Sequence, residues 1–125
     1  MTKTYKISEI AKITGFSIPT LRYYEDLGLI KPERSTSNYR TFTEKDLHWI
    51  EFIQRAKMTG MPLEDIKAYS DLREKGDSTI IERLSLLIKQ EHILREKKQE
   101  LESHIDFLQK KKQTYYELLE KKNSD

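Results

Sequence analysis

Ser17-Ile18-Pro19-Thr20-Leu21-Arg22-Tyr23-Tyr24-Glu25 is the stretch on which the fold turns. Ser17 suits a helix N-cap, because its side-chain oxygen can accept from an orphan N–H of the first turn. Pro19 fits that same turn, where a missing N–H costs little. Leu21 and Tyr24, three apart, share a face that can pack inward, and this sends Thr20, Arg22 and Tyr23 elsewhere. The segment therefore reads as a short helix with one apolar face and one basic, aromatic face.

On its N-terminal side, Tyr5-Lys6-Ile7 is extended, and Ser8-Glu9-Ile10-Ala11-Lys12-Ile13 is predicted helical with Ile10 and Ile13 on one side. Thr14-Gly15-Phe16 breaks that helix, since Gly15 can take the left-handed C-cap conformation without a Cβ clash. Two short helices around so tight a turn form either a helix-turn-helix or an ordinary αα-hairpin. Spacing alone does not separate the two; the next segment favours the first. Leu27-Gly28-Leu29-Ile30 closes the second helix at Gly28, and Lys31 before Pro32 is disfavoured as helix. Arg34-Ser35-Thr36-Ser37-Asn38 is polar and turn-like, and Tyr39-Arg40-Thr41-Phe42 returns as a strand with Tyr39 and Thr41 on one face. The result is a wing, on which Arg34, Ser35, Tyr39 and Arg40 carry donors of the kind that hold phosphates. With Ser17, Pro19, Thr20, Arg22 and Tyr23 they make up the candidate DNA-binding residues, a two-point grip on a duplex.

Thr43-Glu44-Lys45-Asp46 opens a third helix with a box-like cap. Leu47, Ile50, Ile53 and Met58 are its expected inner stripe, with Trp49 and Phe52 covering it. Thr59-Gly60 ends it, and Pro62-Leu63-Glu64-Asp65-Ile66 starts a fourth with acids where the helix dipole favours them. Leu63, Ile66 and Tyr69 are its expected inner face. Gly76-Asp77-Ser78 is the clearest boundary in the chain, and it separates a DNA-binding domain over 1–75 from a dimerisation helix with a short tail over 76–125. Beyond it, twelve positions step by four and three from 80 to 119, and nine are apolar: Ile80, Leu84, Leu87, Leu94, Leu101, Ile105, Leu108, Tyr115 and Leu119. No proline or glycine interrupts them, and a seven-residue period of this length implies a coiled coil. At about 1.5 Å per residue the helix is roughly 60 Å long. It cannot shelter its seam alone, so it must pair. Glu91, Lys98 and Lys112 are the seam positions that are not apolar. In an antiparallel pair Glu91 of one chain and Lys98 of the other either approach each other and help set register or both reach out to water.

Tyr5-Lys6-Ile7-Ser8-Glu9-Ile10-Ala11, then Thr20-Leu21-Arg22-Tyr23-Tyr24-Glu25 with Leu27-Gly28-Leu29-Ile30-Lys31-Pro32, then Asn38-Tyr39-Arg40 and Glu44-Lys45-Asp46-Leu47 resemble the MerR family of bacterial transcription regulators. The likeness covers residues from about 5 to 74. It implies a mainly α protein: a winged helix-turn-helix DNA-binding domain followed by a long antiparallel coiled-coil dimerisation helix. It also implies a homodimer on a palindromic promoter site in double-stranded DNA, which bends and untwists an overlong spacer so that RNA polymerase can engage both promoter elements. That deformation costs on the order of 1–6 kcal/mol and is offset by phosphate contacts. There are two departures from the pattern. Asn38 stands where the wing usually has glycine, a substitution the turn should survive because asparagine tolerates positive φ better than most residues. The cysteines of metal-sensing and thiol-sensing relatives are missing altogether.

Composition bounds the remaining functions. The 125 residues carry a net charge of +2, with hydrophobic residues at 36% and charged residues at 35%. That is a thin apolar inventory, suited to a core completed by a partner chain. Up to Thr43 there are seven Lys/Arg against four Asp/Glu, and from Met61 onward thirteen against fourteen, so the positive excess lies with the candidate DNA helix. Zero cysteines exclude disulfides and thiolate metal sites. No stretch approaches the roughly 20 apolar residues that span a bilayer, nor is there a signal-peptide core, which predicts a cytoplasmic protein. His48, His92 and His104 form no catalytic grouping, so no enzyme is expected. His92 with Glu96 and His104 with Glu100 are read as solvated coil flanks rather than a metal site. Tyr115 and Tyr116 either cap the dimer core or line a pocket for a small organic effector; no other cofactor is expected. The competing reading is a non-specific nucleic-acid-binding module scaffolded by the coil. It predicts affinity that falls with salt for every sequence, whereas a regulator binds its sites at least about a thousandfold tighter than random DNA.

Overall fold

In the computed structural model, which describes residues 3–123, the chain runs β1 (Thr4–Tyr5), α1 (Ile7–Thr14), α2 (Ile18–Asp26), β2 (Glu33–Arg34), β3 (Arg40–Thr43), α3 (Glu44–Met58), α4 (Leu63–Glu74), a 3₁₀ turn (Asp77–Thr79) and α5 (Ile80–Asn123). The helix ends lie where local chemistry puts them. Ser17 is extended, and its Oγ accepts from the Thr20 N–H at 3.1 Å. Thr43 and Asp46 close a reciprocal capping box at the start of α3, at 3.1 and 2.9 Å. Gly15 ends α1 at φ 82°, a left-handed conformation that a Cβ would penalise. Asn38 sits at φ 66°, so the wing turn keeps its geometry without the usual glycine.

The strands form a three-stranded antiparallel sheet in the order β1-β3-β2, with Tyr5 opposite Phe42 and Arg34 opposite Arg40. The β2–β3 hairpin is the wing. The N-terminal strand on its other edge is an addition to the expected extended entry, because its partner lies almost forty residues away and no local signal names it. The strand itself starts at Arg40, one residue later than expected, and Phe42 is its buried side chain.

Ile10, Leu21, Tyr24, Phe42, Ile50, Ile53 and Ile66 form the sealed centre of the core that joins α1 to α4 with the sheet. Phe16 meets Tyr24 edge-on at 5.4 Å. Two expected core residues are instead exposed, Ile13 at 51% and Met58 at 72%. On α1 the buried row is Ile10 and Thr14, four apart, and Thr14 is tolerated inside because its hydroxyl donates to the Ile10 carbonyl at 2.8 Å. On α3 the inner row continues from Ile53 to Ala56. Met58 lies five residues from Ile53, about 140° around the helix. Trp49 is buried, and its indole N–H donates to the Leu29 carbonyl at 2.8 Å, pinning α3 to the end of α2. Phe52 and Tyr69 stack beside it, and Arg73 lies over the Trp49 ring at 4.4 Å. After α4, Gly76 at φ 92° reverses the chain, and the Thr79 hydroxyl donates to the Leu72 carbonyl at 2.6 Å.

α5 is one unbroken helix of 44 residues, about 66 Å by its rise per residue. The chain divides into two compact units between Leu86 and Leu87, inside this helix. Within it the heptad residues are open to solvent: Leu101 is 62% exposed and Leu108 58%.

Candidate nucleic-acid interface

The inward half of α2 is fixed by burial, with Leu21 and Tyr24 at 0% and 1% exposure. That anchoring turns Pro19, Arg22 and Tyr23 outward, and all three are exposed. Arg22 makes no ion pair among the described residues, so its guanidinium is available to an anion from outside. Ser17 and Thr20 are committed to each other, their hydroxyl oxygens 2.8 Å apart. Their first task is therefore to cap the helix.

The wing arginines do something that the sequence did not disclose. Arg40 Nε donates to Glu25 Oε1 at 2.5 Å, and Arg34 Nη2 donates to Glu25 Oε2 at 3.4 Å. Glu25 is the next-to-last residue of α2, so a single carboxylate near the helix end ties the wing to the helix. One nitrogen of each guanidinium is taken up in this way, and the remaining N–H groups keep their charge for a second partner. Arg34 also donates to the Asn38 carbonyl across the wing turn at 3.4 Å. Ser35 Oγ accepts from the Tyr39 N–H at 3.2 Å, which closes the same turn and leaves the Tyr39 ring 74% exposed.

Arg22, Ser35, Tyr39 and Arg40 line one groove of about 760 Å³. Lys6, Ser8 and their neighbours at the start of α1 also line it, and the first turn of that helix is held by the Lys6 N–H donating to Glu9 at 3.0 Å. Basic and hydroxyl groups from three elements thus converge on one concave strip, an arrangement suited to a phosphate backbone. Ser17, Pro19, Thr20, Tyr23 and Arg34 do not line it. The sequence reading missed Lys6, Ser8 and the organising role of Glu25. An acid one helix away from two arginines gave a signal, but nothing local said that the wing would fold back onto it. Tyr5, beneath the groove, donates from its phenol to Glu44 at 3.0 Å, and that hydrogen bond raises its pKa above the ordinary value.

With this geometry in view, the chain matches the family model described as MerR HTH family regulatory protein over residues 5–72. A second, described as MerR, DNA binding, matches residues 47–114. The chain belongs to the MerR family. Among curated relatives of this MerR-family chain is an uncharacterised HTH-type transcriptional regulator of Haemophilus influenzae, 40% identical over 86% of this chain and 81% of that one. Among solved structures, HiNmlR, a MerR family regulator lacking the sensor domain and bound to promoter DNA, is 38% identical and covers 92% of both chains at a TM-score of 0.77. A MerR family regulator from Listeria monocytogenes, given there as putative, is 33% identical, covering 89% of this chain and 85% of that one at a TM-score of 0.78.

Elsewhere, the His92–Glu96 and His104–Glu100 pairs lie on α5 at 2.9 and 4.0 Å and are well exposed. Among the described residues no group of three or more His, Cys, Asp or Glu side chains could hold a metal. No described helix is long and apolar enough to cross a membrane.

Proposed function

We propose that this MerR-family transcription regulator binds a palindromic promoter site as a homodimer and distorts the spacer DNA so that RNA polymerase engages both promoter elements. Residues 1–75 read the DNA and residues 76–125 join the two copies. Arg22 and Tyr23 enter the major groove from α2. The wing residues Tyr39, Ser35, Arg34 and Arg40 hold the flanking phosphates, with Lys6 and Ser8 beside them. Ser17, Pro19 and Thr20 act mainly by setting the start and angle of the reading helix. The regulator works on promoter DNA in the cytoplasm. It performs no catalysis, and the effector class proposed for it is a small organic molecule; the 125 residues contain no thiol for a soft metal.

The observation that carries this reading is the unpaired Arg22 beside a groove it shares with the wing. The likeness to a regulator that was solved on promoter DNA adds to it. A duplex needs a recognition element and a backbone clamp held at fixed separation, and Glu25 supplies that coupling. Footprinting on the promoter upstream of the protein's own gene should show two protected half-sites about one helical turn apart. Affinity that is uniform across sequences and only declines with salt would overturn the proposal.

A further inference from the structure

Among the described residues, α5 presents a seam that stays largely open. Ile80, Leu84, Leu101, Ile105, Leu108, Tyr115 and Leu119 are each between 51% and 62% exposed. Resting on the homodimer proposed above, the occupant of this seam is a second copy of the same helix. What remains open is how the two slide against each other, and the charges on α5 decide it.

A parallel pair would set Glu91, Lys98 and Lys112 each against its own copy, three like-charged layers in one seam. An antiparallel pair avoids all three. Antiparallel registers differ by whole heptads, because seam residues must face seam residues. We propose the register that sets Lys98 beside the partner's Leu101, and with it Ile80 beside the partner's Leu119. All twelve seam positions then find a counterpart. Flanking them, Arg95 faces the partner's Glu102 twice by symmetry, and Ile81 faces the partner's Tyr116. Ile81 and Tyr116 are 77% and 54% exposed, so the seam has apolar shoulders where this register needs them.

A slip of one heptad in either direction is worse. One way, Arg95 meets its own copy, Lys97 meets its own copy, and Tyr115 and Leu119 are left without seam partners. The other way, Glu102 meets its own copy and Ile80 and Leu84 are left over. Arg95 within one chain is bonded to Glu91 at 3.1 Å, an exposed pair of small worth that can be shared with the partner's Glu102. The proposed register also puts Glu91 one layer from the partner's Lys112. It therefore replaces the Glu91–Lys98 approach, which requires a slipped register. The consequence for function is metric: each slip moves one helix along the other by about 10 Å, roughly three base pairs of half-site spacing.

With no native cysteine, thiol cross-linking of the full-length protein tests this directly. A bis-maleimide too short to span a heptad should link Arg95→Cys/Glu102→Cys into a dimer and leave each single variant unlinked. Linkage of Arg95→Cys alone, or of Glu102→Cys alone, would overturn the register in favour of one slip or the other. Absence of linkage in all three, with sedimentation still showing a dimer, would also overturn it. A wild-type protein that sediments as a monomer would instead remove the dimer itself. As a second arm, Arg95→Glu and Glu102→Arg should each raise the dimer dissociation constant severalfold, and the double exchange should restore it. Two losses that simply add would count against the pairing.

Discussion

α2 and α5 are both amphipathic, yet they meet opposite fates. The inward residues of α2, Leu21 and Tyr24, are sealed in the core cluster, whereas Leu101 and Leu108 of α5 lie open. A nine-residue helix has too few turns to be stable in isolation and needs a core around it. A 44-residue helix holds its own backbone and needs only a face to lean on. The contrast implies two kinds of stability in one chain: the head folds by its own burial, and the proposed pairing would make the rod depend on concentration.

Four changes would break or sharpen that contrast. Leu101→Asp places a charge in the seam and should dissociate the dimer at micromolar protein, abolishing binding to a palindromic site. A tight complex of a monomer with DNA, seen by sedimentation, would contradict the division of labour. Ile53→Ala removes a fully buried side chain from the head and should cost about 2–5 kcal/mol of its unfolding free energy. Denaturant unfolding should show that loss with the helix content of α5 retained. Arg22→Ala leaves every described packing contact intact. It should weaken promoter binding by about 1–3 kcal/mol per head, with circular dichroism and dimerisation unchanged, and unaltered affinity would show that α2 is not the reading helix. Glu25→Ala frees both wing arginines from α2. Thermal stability should fall by about 1 kcal/mol or less, while specificity between sites narrows as the wing loses its fixed angle.

Much of this was written locally. The Ser17 and Thr43 caps, the left-handed Gly15 and Asn38, the stop at Gly28 and the unbroken heptads of α5 each depend on residues within a few positions of one another. What was misplaced depended on distance. Ile13 was assigned inward by periodicity, but Thr14 took the buried position because the Ile10 carbonyl could satisfy its hydroxyl. Met58 was the expected end of a stripe that Ala56 ended instead. Arg34 and Arg40 are legible as cations, and their attachment to Glu25 is not, because Arg40 follows Glu25 by fifteen positions, across the wing turn.

The amino-acid sequence by itself determined where helices begin and end, which faces are apolar, and that the terminal helix carries an uninterrupted seven-residue period, since capping, turn geometry and heptad period act through neighbours along the chain. Only the tertiary structure decided that β1 joins the wing's sheet, that Glu25 yokes two arginines, and that Lys6 and Arg22 line one groove. Those contacts close loops of ten to forty residues, and their energy comes from groups that the local sequence cannot bring together.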